Sequence, residues 1–409
     1  MRWVAAVPDA RRLVGARALR GFADGLTSVV LASHLSSLGF APLEVGAIAT
    51  ATLLGSAALT LAVGLVAHRL AERVVLLAAT AVMAGTGLAF AGLTAFWPLL
   101  LVAFLGTLNP SAGDVSVFLP TEQSLLAASA PASRRTALFA RYNLAGAMLG
   151  ALGALASGLV DPAARWLGVE RATALRGAFL VYATTALALA PLYLRLELGH
   201  TPVTSEPGRV LARSRGVVLR LASLFSLDAF GGGFVVDSLV ALWLLRRFDL
   251  SLEATGAVFF GARMLAAGSQ LLAAPLAARI GLVRTMVYTH VPANLLLVAA
   301  AFAPTAGLAI ACLLARMAFA TMDVPARQSL VMALVPPAER AAAASVTNVP
   351  RSLAAALPPL VAGALLERTH VGWPLVLGGA IKLAYDLLLL AQFRAVPSVP
   401  EGGPGAREA

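Results

Sequence analysis

The chain has 409 residues, of which 59% are hydrophobic and only 12% are charged, whereas about a quarter of the residues of an average soluble domain are charged. This composition excludes an ordinary soluble protein and indicates a membrane protein. The net charge of +11 raises the possibility of a nucleic-acid partner, so the positions of the basic residues matter. Cys312 is the only cysteine, which excludes disulfides within the chain.

Apolar runs of about 20 residues recur along the whole chain, each long enough to cross a hydrocarbon core of about 30 Å. The alternating pattern of a membrane β-barrel does not occur. The first run is long and carries no cleavage signal, so we expect it to be a retained helix. The sequence thus predicts an all-α polytopic protein with twelve transmembrane helices, called spans 1 to 12, at 18–39, 43–66, 74–95, 97–120, 138–160, 173–194, 218–245, 252–276, 284–303, 306–333, 342–365 and 373–394.

Arginines are concentrated between the spans on one side of the predicted bundle. The opposite side holds far fewer, chiefly Arg165, Arg171, Arg246, Arg247 and Arg368. By the positive-inside rule, this asymmetry predicts that both termini are cytoplasmic. The basic charge therefore reports topology, and we expect a multi-pass protein of the cytoplasmic (inner) membrane with no nucleic-acid partner.

Two segments of the chain repeat each other at an offset of 205 residues. The stretch 120–143 is identical to 325–348 at nine positions, including Pro120 with Pro325 and Gln123 with Gln328, whereas Glu122 lies opposite Arg327 with inverted charge. A weaker match at an offset of 208 lays 22–40 on 230–248. The chain is therefore predicted to contain two pseudo-symmetric six-helix bundles, at 1–194 and 218–395, joined by a cytoplasmic linker at 195–217 and followed by a disordered tail at 396–409.

The loop between spans 2 and 3 reads GLVAHRLAER (64–73). Four of its residues fit the pattern Gly-x-Leu-Ala-Asp-Arg-x-Gly-Arg-Arg: Gly64, Ala67, Arg69 and Arg73. A fainter copy, APLAARIGLVR, lies at 274–284. On these motifs and the repeat, the chain resembles bacterial transporters of the Major Facilitator Superfamily. The resemblance implies that spans 1, 4, 7 and 10 line a central cavity, that spans 3, 6, 9 and 12 lie outside, and that the molecule is a monomer.

Ionisable residues at membrane depth are costly and mark functional sites. In span 1, Asp24 lies near the midplane with Arg20 one turn away, which predicts either a proton-coupling or substrate-binding carboxylate or a buried structural pair. Asp237 in span 7, after three glycines, is a second candidate. Asn109 and Asp114 flank Pro110 and Gly113, which are expected to break span 4 beside the cavity.

A further group of charges lies near the predicted cytoplasmic ends of the cavity spans. Arg20 and Asp228 are equivalent under the 208 offset, as Glu122 and Arg327 are under the 205 offset, so opposite signs at related positions suggest ties across the inner end of the cavity. We expect Glu122 to form a gate with Arg69, Arg73 or Arg141. Arg327 would pair with an acid, Asp323 in its own helix being one candidate; a static helix-end ion pair is the alternative.

Two other features concern the remaining spans. Span 5 reads YNLAGAMLGALGALASG, a glycine ladder suited to close helix packing, and it weakly resembles the glycine-rich motif of 12-helix drug:proton antiporters, although Ala151 replaces the proline of that motif. In span 12, Lys382 and Asp386 are spaced to pair on one face. His34 is expected to be a packing residue, and Arg263 is a candidate for holding an anionic group.

No phosphate-loop, zinc-protease or nucleophile-elbow motif occurs, so we expect no enzyme activity and no cofactor. The sequence predicts a secondary transporter that moves a small solute by alternating access between two halves, with proton-coupled efflux favoured. A proton-coupled uptake symporter is the alternative, and a non-transporting sensor or lipid scramblase is a third possibility. The expected partners are a small-molecule solute, protons and the lipid bilayer.

Overall fold

A computed structural model describes residues 8–66, 70–111, 116–129, 132–197, 214–336 and 339–393. In that part of the chain every regular element is helical. The α-helices are α1 (Pro8–Ser37), α2 (Pro42–Val66), α3 (Glu72–Gly92), α4 (Phe96–Leu105), α5 (Phe118–Ala128), α6 (Ala132–Ala156), α7 (Val160–Leu167), α8 (Arg171–Leu194), α9 (Arg215–Gly233), α10 (Asp237–Phe248), α11 (Leu252–Ile280), α12 (Leu282–Ala301), α13 (Ala306–Met317), α14 (Asp323–Leu334), α15 (Arg340–Ala356), α16 (Pro358–Arg368) and α17 (Trp373–Phe393).

The helices correspond to the predicted spans. Within the described residues, nine helical segments are long and apolar enough to cross a membrane, and two shorter apolar helices, α4 and α13, belong to spans 4 and 10. Helix α1 is not among the nine, although it is 30 residues long, because charged and hydroxyl side chains interrupt its apolar surface. The prediction of an all-α, multi-pass membrane protein is confirmed.

Four predicted spans are interrupted, three of them where the sequence contains helix-breaking residues. Span 4 is interrupted between α4 and α5 around Pro110, and span 7 between α9, which ends at Gly233, and α10. Span 11 breaks at Leu357, directly before Pro358, and span 10 breaks between α13 and α14. Proline removes a backbone donor and glycine weakens the helix, which explains the first three breaks. Non-helical backbone at membrane depth is tolerated where it lines a cavity.

Helices α1 and α6 pack with their backbones in direct contact. A Cβ atom at Gly25 would collide with the backbone of Gly150, and one at Gly153 would collide with the backbone of Phe22. Small residues on both helices allow this approach, as the glycine ladder of span 5 predicted. The contact fixes the rotation of α1 and therefore the direction in which its charged residues point.

The chain forms two compact units. The first contains Met1–Thr204, Gly233–Met264 and Ala355–Pro374, and the second contains Ser205–Gly232, Leu265–Ala354 and Leu375–Ala409. The second unit has an apolar core in which Leu221 of α9, Met286 of α12 and Leu330 of α14 are fully buried. The division of the sequence into halves at 1–194 and 218–395 stays a prediction, and the predicted tail and most of the linker lie outside the described residues.

Candidate functional site

The guanidinium of Arg263 joins three helices of the first unit. From α11, its Nη2 atom donates to Asp237 Oδ2 at the start of α10, over 2.6 Å, and to Ser28 Oγ of α1, over 3.0 Å. The side chains of Arg263 and Asp237 are 16% and 25% exposed, so the pair is only partly desolvated. A charge-assisted bond of this length is stronger than one between neutral groups, and it fixes the orientation of the Arg263 guanidinium.

Asp24 lies one helical turn before Ser28 on α1 and is buried, with 8% exposure. No described residue donates a hydrogen bond to its carboxylate. Three guanidinium groups, those of Arg17, Arg20 and Arg263, act on it electrostatically. A buried carboxylate that lacks donors is energetically costly, and such groups are characteristic of sites that bind a ligand or a proton.

The broken segment of span 4 meets the broken segment of span 7 beside these residues. The backbone N–H of Ser238, next to Asp237, donates to the carbonyl oxygen of Pro110 over 3.1 Å. Asn109 is buried, and its Oδ1 accepts from the backbone N–H of Ser111 over 3.1 Å. Discontinuous helices with exposed backbone groups are the usual frame of transporter binding sites. Asp114, the other span 4 candidate, lies outside the described residues.

Arg20 does not direct its guanidinium to Asp24. Its Nη2 atom donates to Glu122 Oε2, in a buried ion pair of α1 and α5, and its Nη1 atom donates to Ser116 Oγ over 3.1 Å. The hydroxyl groups of Tyr142 and Tyr193 also donate to Glu122. Because both carboxylate oxygens of Glu122 accept hydrogen bonds from protein donors, the cluster has the properties of a structural ion pair and leaves no free acceptor oxygen for a ligand.

Two of the three arginines expected to pair with Glu122 make no contact with it. Arg73 and Arg141 are exposed, and Arg69 lies outside the described residues. In their place, the partner of Glu122 is Arg20, a residue whose side chain was expected to face Asp24. The gate composed of these residues stays a prediction, but the pairing that it assumed is not the one observed.

The second half contains the charge-inverted counterpart of this pair. Asp228 of α9 accepts from Lys382 Nζ over 2.6 Å, and its other oxygen lies 3.5 Å from Arg327 Nη1 of α14. Arg327 also lies 3.4 Å from Asp323, as the sequence suggested. The ion pairs that we expected across the inner end of the cavity each lie within one unit. One joins span 1 to span 4, and the other joins span 7 to span 10.

The predicted pairing of Lys382 with Asp386 does not form. Lys382 pairs with Asp228, while Asp386 accepts from Asn294 Nδ2 over 2.9 Å and lies 3.0 Å from His290 Nδ1. Spacing along one helix permits a pair, but partners on neighbouring helices with better geometry outcompete it. His34 is buried against Phe179, with its Nε2 atom 3.0 Å from the Phe90 carbonyl oxygen, in a packing position.

Sequence reasoning weighed Arg263 as an anion holder but did not connect it with Asp237 or Asp24. It gave His290 no role and missed Tyr142, Tyr193 and Asn294. The available signal was the rule that a charged residue inside a span faces protein or water, which applies equally to Arg263 and His290. The rule identifies buried charges without identifying their partners.

Residues 13–359 match the sequence model of the Major Facilitator Superfamily. The chain belongs to this superfamily. It is also 25% identical over 415 residues to a Saccharomyces cerevisiae membrane protein, YJR124C, described as uncharacterized, with 92% of each chain covered.

Solved structures of superfamily transporters have the same fold. The nucleoside transporter NupG superimposes with a TM-score of 0.71 at 14% identity, covering 94% of this chain and 99% of the other. The inward-open xylose transporter XylE from E. coli gives 0.71 at 15% identity, covering 96% and 97%. A bacterial homologue of the iron transporter ferroportin gives 0.73 at 16% identity, covering 94% and 98%. At these identities the likeness concerns the fold.

Proposed function

We propose that the protein is a secondary active transporter that moves a small polar solute across the cytoplasmic membrane by alternating access. Its site is the group formed by Asp24, Ser28, Asp237 and Arg263, with Asn109 at its edge. Membership of the superfamily supports solute transport as the class of activity. The contacts of these residues support this position in the fold as the place where the solute binds. We further propose that the termini are cytoplasmic, that the protein works as a monomer, and that protons supply the energy.

The observation that carries this proposal is the unpaired state of Asp24. A carboxylate buried in a membrane helix bundle normally has a donor, yet no described residue donates a hydrogen bond to this one. Arg20 is engaged by Glu122, and Arg263 by Asp237 and Ser28. A solute that brings its own hydroxyl, amine or cationic group would provide the missing donor.

The site also offers groups of the opposite sign. Arg263 is held at its Nη2 atom by Asp237, so the rest of its planar fork is pre-oriented to donate to an acceptor on the solute. A site with a carboxylate acceptor on α1 and a guanidinium donor on α11 selects solutes with hydrogen-bonding groups of both kinds. A purely apolar compound would leave Asp24 unsatisfied and is disfavoured.

We favour efflux as the direction of transport. The support is the glycine-rich span 5, whose close packing against α1 resembles the arrangement implied by the motif of drug:proton antiporters. The close contact between Gly25 and Gly150 is the packing that such a glycine-rich motif allows. Uptake of the same solute, driven by protons that move down their gradient in the same direction, would show that the protein is an uptake symporter and does not act in efflux.

The experiment is a thermal-stability screen of polar solutes on purified protein at two pH values, followed by the Asp24→Asn variant. A solute that binds the site raises the unfolding temperature, and we expect Asp24→Asn to remove most of this rise and its dependence on pH. Asp249→Asn is the matched control, because Asp249 is exposed at the end of α10. A solute that stabilises Asp24→Asn as well as the wild type would show that the site lies elsewhere.

A further inference from the structure

A second buried group of charges lies in the second unit, apart from the residues of the proposed solute site. Its members are less than one-tenth exposed: Asp228, His290, Asn294, Asp323, Arg327, Lys382, Tyr385 and Asp386. They belong to α9, α12, α14 and α17. Helices α12 and α17 correspond to spans 9 and 12, which the superfamily arrangement places away from the central cavity. A structural role alone requires no charge at such positions.

The permanent charges of this group do not balance. Among the described residues, the carboxylates are Asp228, Asp323 and Asp386, and the permanent cations are Arg327 and Lys382. Three negative charges therefore face two positive ones. An uncompensated charge in a buried membrane site is expensive, so the group has room for one more positive charge. Among the basic side chains of the group, His290 is the one that is neutral without a proton and that gains a positive charge by binding one.

The geometry around His290 fits this role. Its Nδ1 atom lies 3.0 Å from Asp386 Oδ1, and Asn294 Nδ2 donates to Asp386 Oδ2 over 2.9 Å. We assign the hydrogen of the neutral imidazole to Nδ1, where it donates to Asp386 Oδ1 while Asn294 donates to Oδ2. The exchangeable proton then adds to and leaves from Nε2, and the bond to Asp386 is kept in both states.

The charged and titratable groups around the pair are Asp228, Lys382, Arg327, Asp323 and Tyr385. Asp386 is influenced by His290, Asp228 and Lys382, and Asp228 by Lys382, His290 and Arg327. Protonation of His290 is thereby linked to the ion pairs that join α9, α14 and α17. Two buried polar atoms beside it, Asn294 Oδ1 and the Tyr385 hydroxyl, have no hydrogen-bond partner among the described residues. They offer an acceptor and a donor to a water that delivers the proton.

We propose that His290, held by Asp386 and Asn294, binds the proton that drives transport, at a site separate from the solute site. This inference rests on the proposed function, since it assigns the proton of that function to a residue. Proton binding makes the charge group neutral, and proton release leaves it with one excess negative charge. The energy difference between these two states is available to bias the ion pairs of Asp228.

The test compares wild type, His290→Gln and Asp386→Asn in proteoliposomes, with the stabilising solute from the screen. Gradient-driven accumulation and gradient-free exchange of solute are measured separately. We expect His290→Gln to lose about tenfold or more of the accumulation, equivalent to about 1.4 kcal/mol of coupling, while exchange persists. Retained exchange also shows that the variant is folded. His370→Gln is the control, because His370 is exposed in the loop before α17.

A second measurement keeps the site falsifiable without transport. Nitrogen NMR on histidine-labelled protein, with His290→Gln to identify the signal, reports how many hydrogens the imidazole carries. We expect His290 to carry two N–H groups when protonated and one when deprotonated, and the signal to change between these forms when the pH is changed. Signals that stay constant, accumulation that survives His290→Gln, or accumulation that follows a sodium gradient would each overturn the assignment. Absence of any gradient-driven accumulation in wild type refutes the proposed function instead.

Discussion

At the scale of residues, the molecule separates buried charges that are satisfied from those that are not. Glu122 accepts from Arg20, Tyr142 and Tyr193, whereas Asp24 accepts from no described residue. Burial alone does not distinguish the two carboxylates. The two carboxylates differ in their hydrogen-bond donors, so we propose that Glu122 stabilises the fold and that Asp24 binds the solute.

The Glu122→Gln substitution tests the stabilising role. It leaves the Arg20 guanidinium buried without a counter-charge, and breaking such a pair costs about 3–5 kcal/mol. We expect a clear fall in the unfolding temperature of the purified protein, measured by fluorescence during heating. Glu170→Gln, which alters an exposed carboxylate before α8, should have no such effect. An unfolding temperature unchanged in Glu122→Gln, together with an altered ratio of inward and outward states, would favour the gate.

Asp237→Asn tests the positioning of Arg263. The substitution removes the charge-assisted bond of 2.6 Å and leaves Ser28 as the described partner of that Nη2 atom. We expect solute affinity to fall by about 1.5–3 kcal/mol, the range for hydrogen bonds to charged groups, measured as weaker stabilisation by the same solute. Unchanged affinity would remove Arg263 and Asp237 from the site.

At the scale of elements, the breaks in spans 4, 7 and 11 and the glycine contact between α1 and α6 were predictable. Pro110, Gly231–Gly233 and Pro358 act through local backbone chemistry, which a sequence displays directly. The partners of Arg20, Arg263 and Lys382 were not predictable, because each depends on the rotation and tilt of two different helices. The partners are 102 residues apart for Arg20 and Glu122, 26 for Arg263 and Asp237, and 154 for Lys382 and Asp228. For Lys382, the local pattern was misleading, since Asp386 was the near residue and Asp228 the true partner.

The α1–α6 contact supplies a prediction about elements. A methyl group at Gly25 would meet the backbone of Gly150, whereas one at Gly177 in α8 would meet nothing within 4 Å. We expect Gly25→Ala to reduce the yield of folded protein and its unfolding temperature. Gly177→Ala should be neutral or stabilising by up to about 1 kcal/mol, because alanine is the better helix former. Equal behaviour of the two variants, judged by size-exclusion chromatography and heating, would contradict the packing.

At the scale of the whole molecule, the arginine distribution predicts the orientation in the membrane. With Cys312→Ser as background, we expect Glu170→Cys to react with an impermeant maleimide added to intact cells. Arg279→Cys should react only after the cells are permeabilised, because the loop between spans 8 and 9 is predicted to be cytoplasmic. Both positions are exposed. Labelling of both from the same side would refute the topology.

Each of the two units contains a buried ion pair between two predicted cavity spans, and the signs of the charges are exchanged between the two pairs. Span 1 is tied to span 4 through Arg20 and Glu122, and span 7 to span 10 through Asp228 and Arg327. Sequence matching identified these positions as equivalent and opposite in charge, and it suggested ties across the inner end of the cavity without naming these pairs. Each ion pair joins two of the predicted cavity spans within one unit.

The central claim is that a solute crosses the membrane through this molecule with Asp24 as an essential binding group. Its most direct test is flux of the stabilising solute into sealed proteoliposomes, with and without an imposed pH gradient, for wild type and Asp24→Asn. The account predicts saturable flux that the gradient accelerates and that Asp24→Asn abolishes. Transfer of lipid without solute flux, or solute flux unchanged by Asp24→Asn, would contradict it.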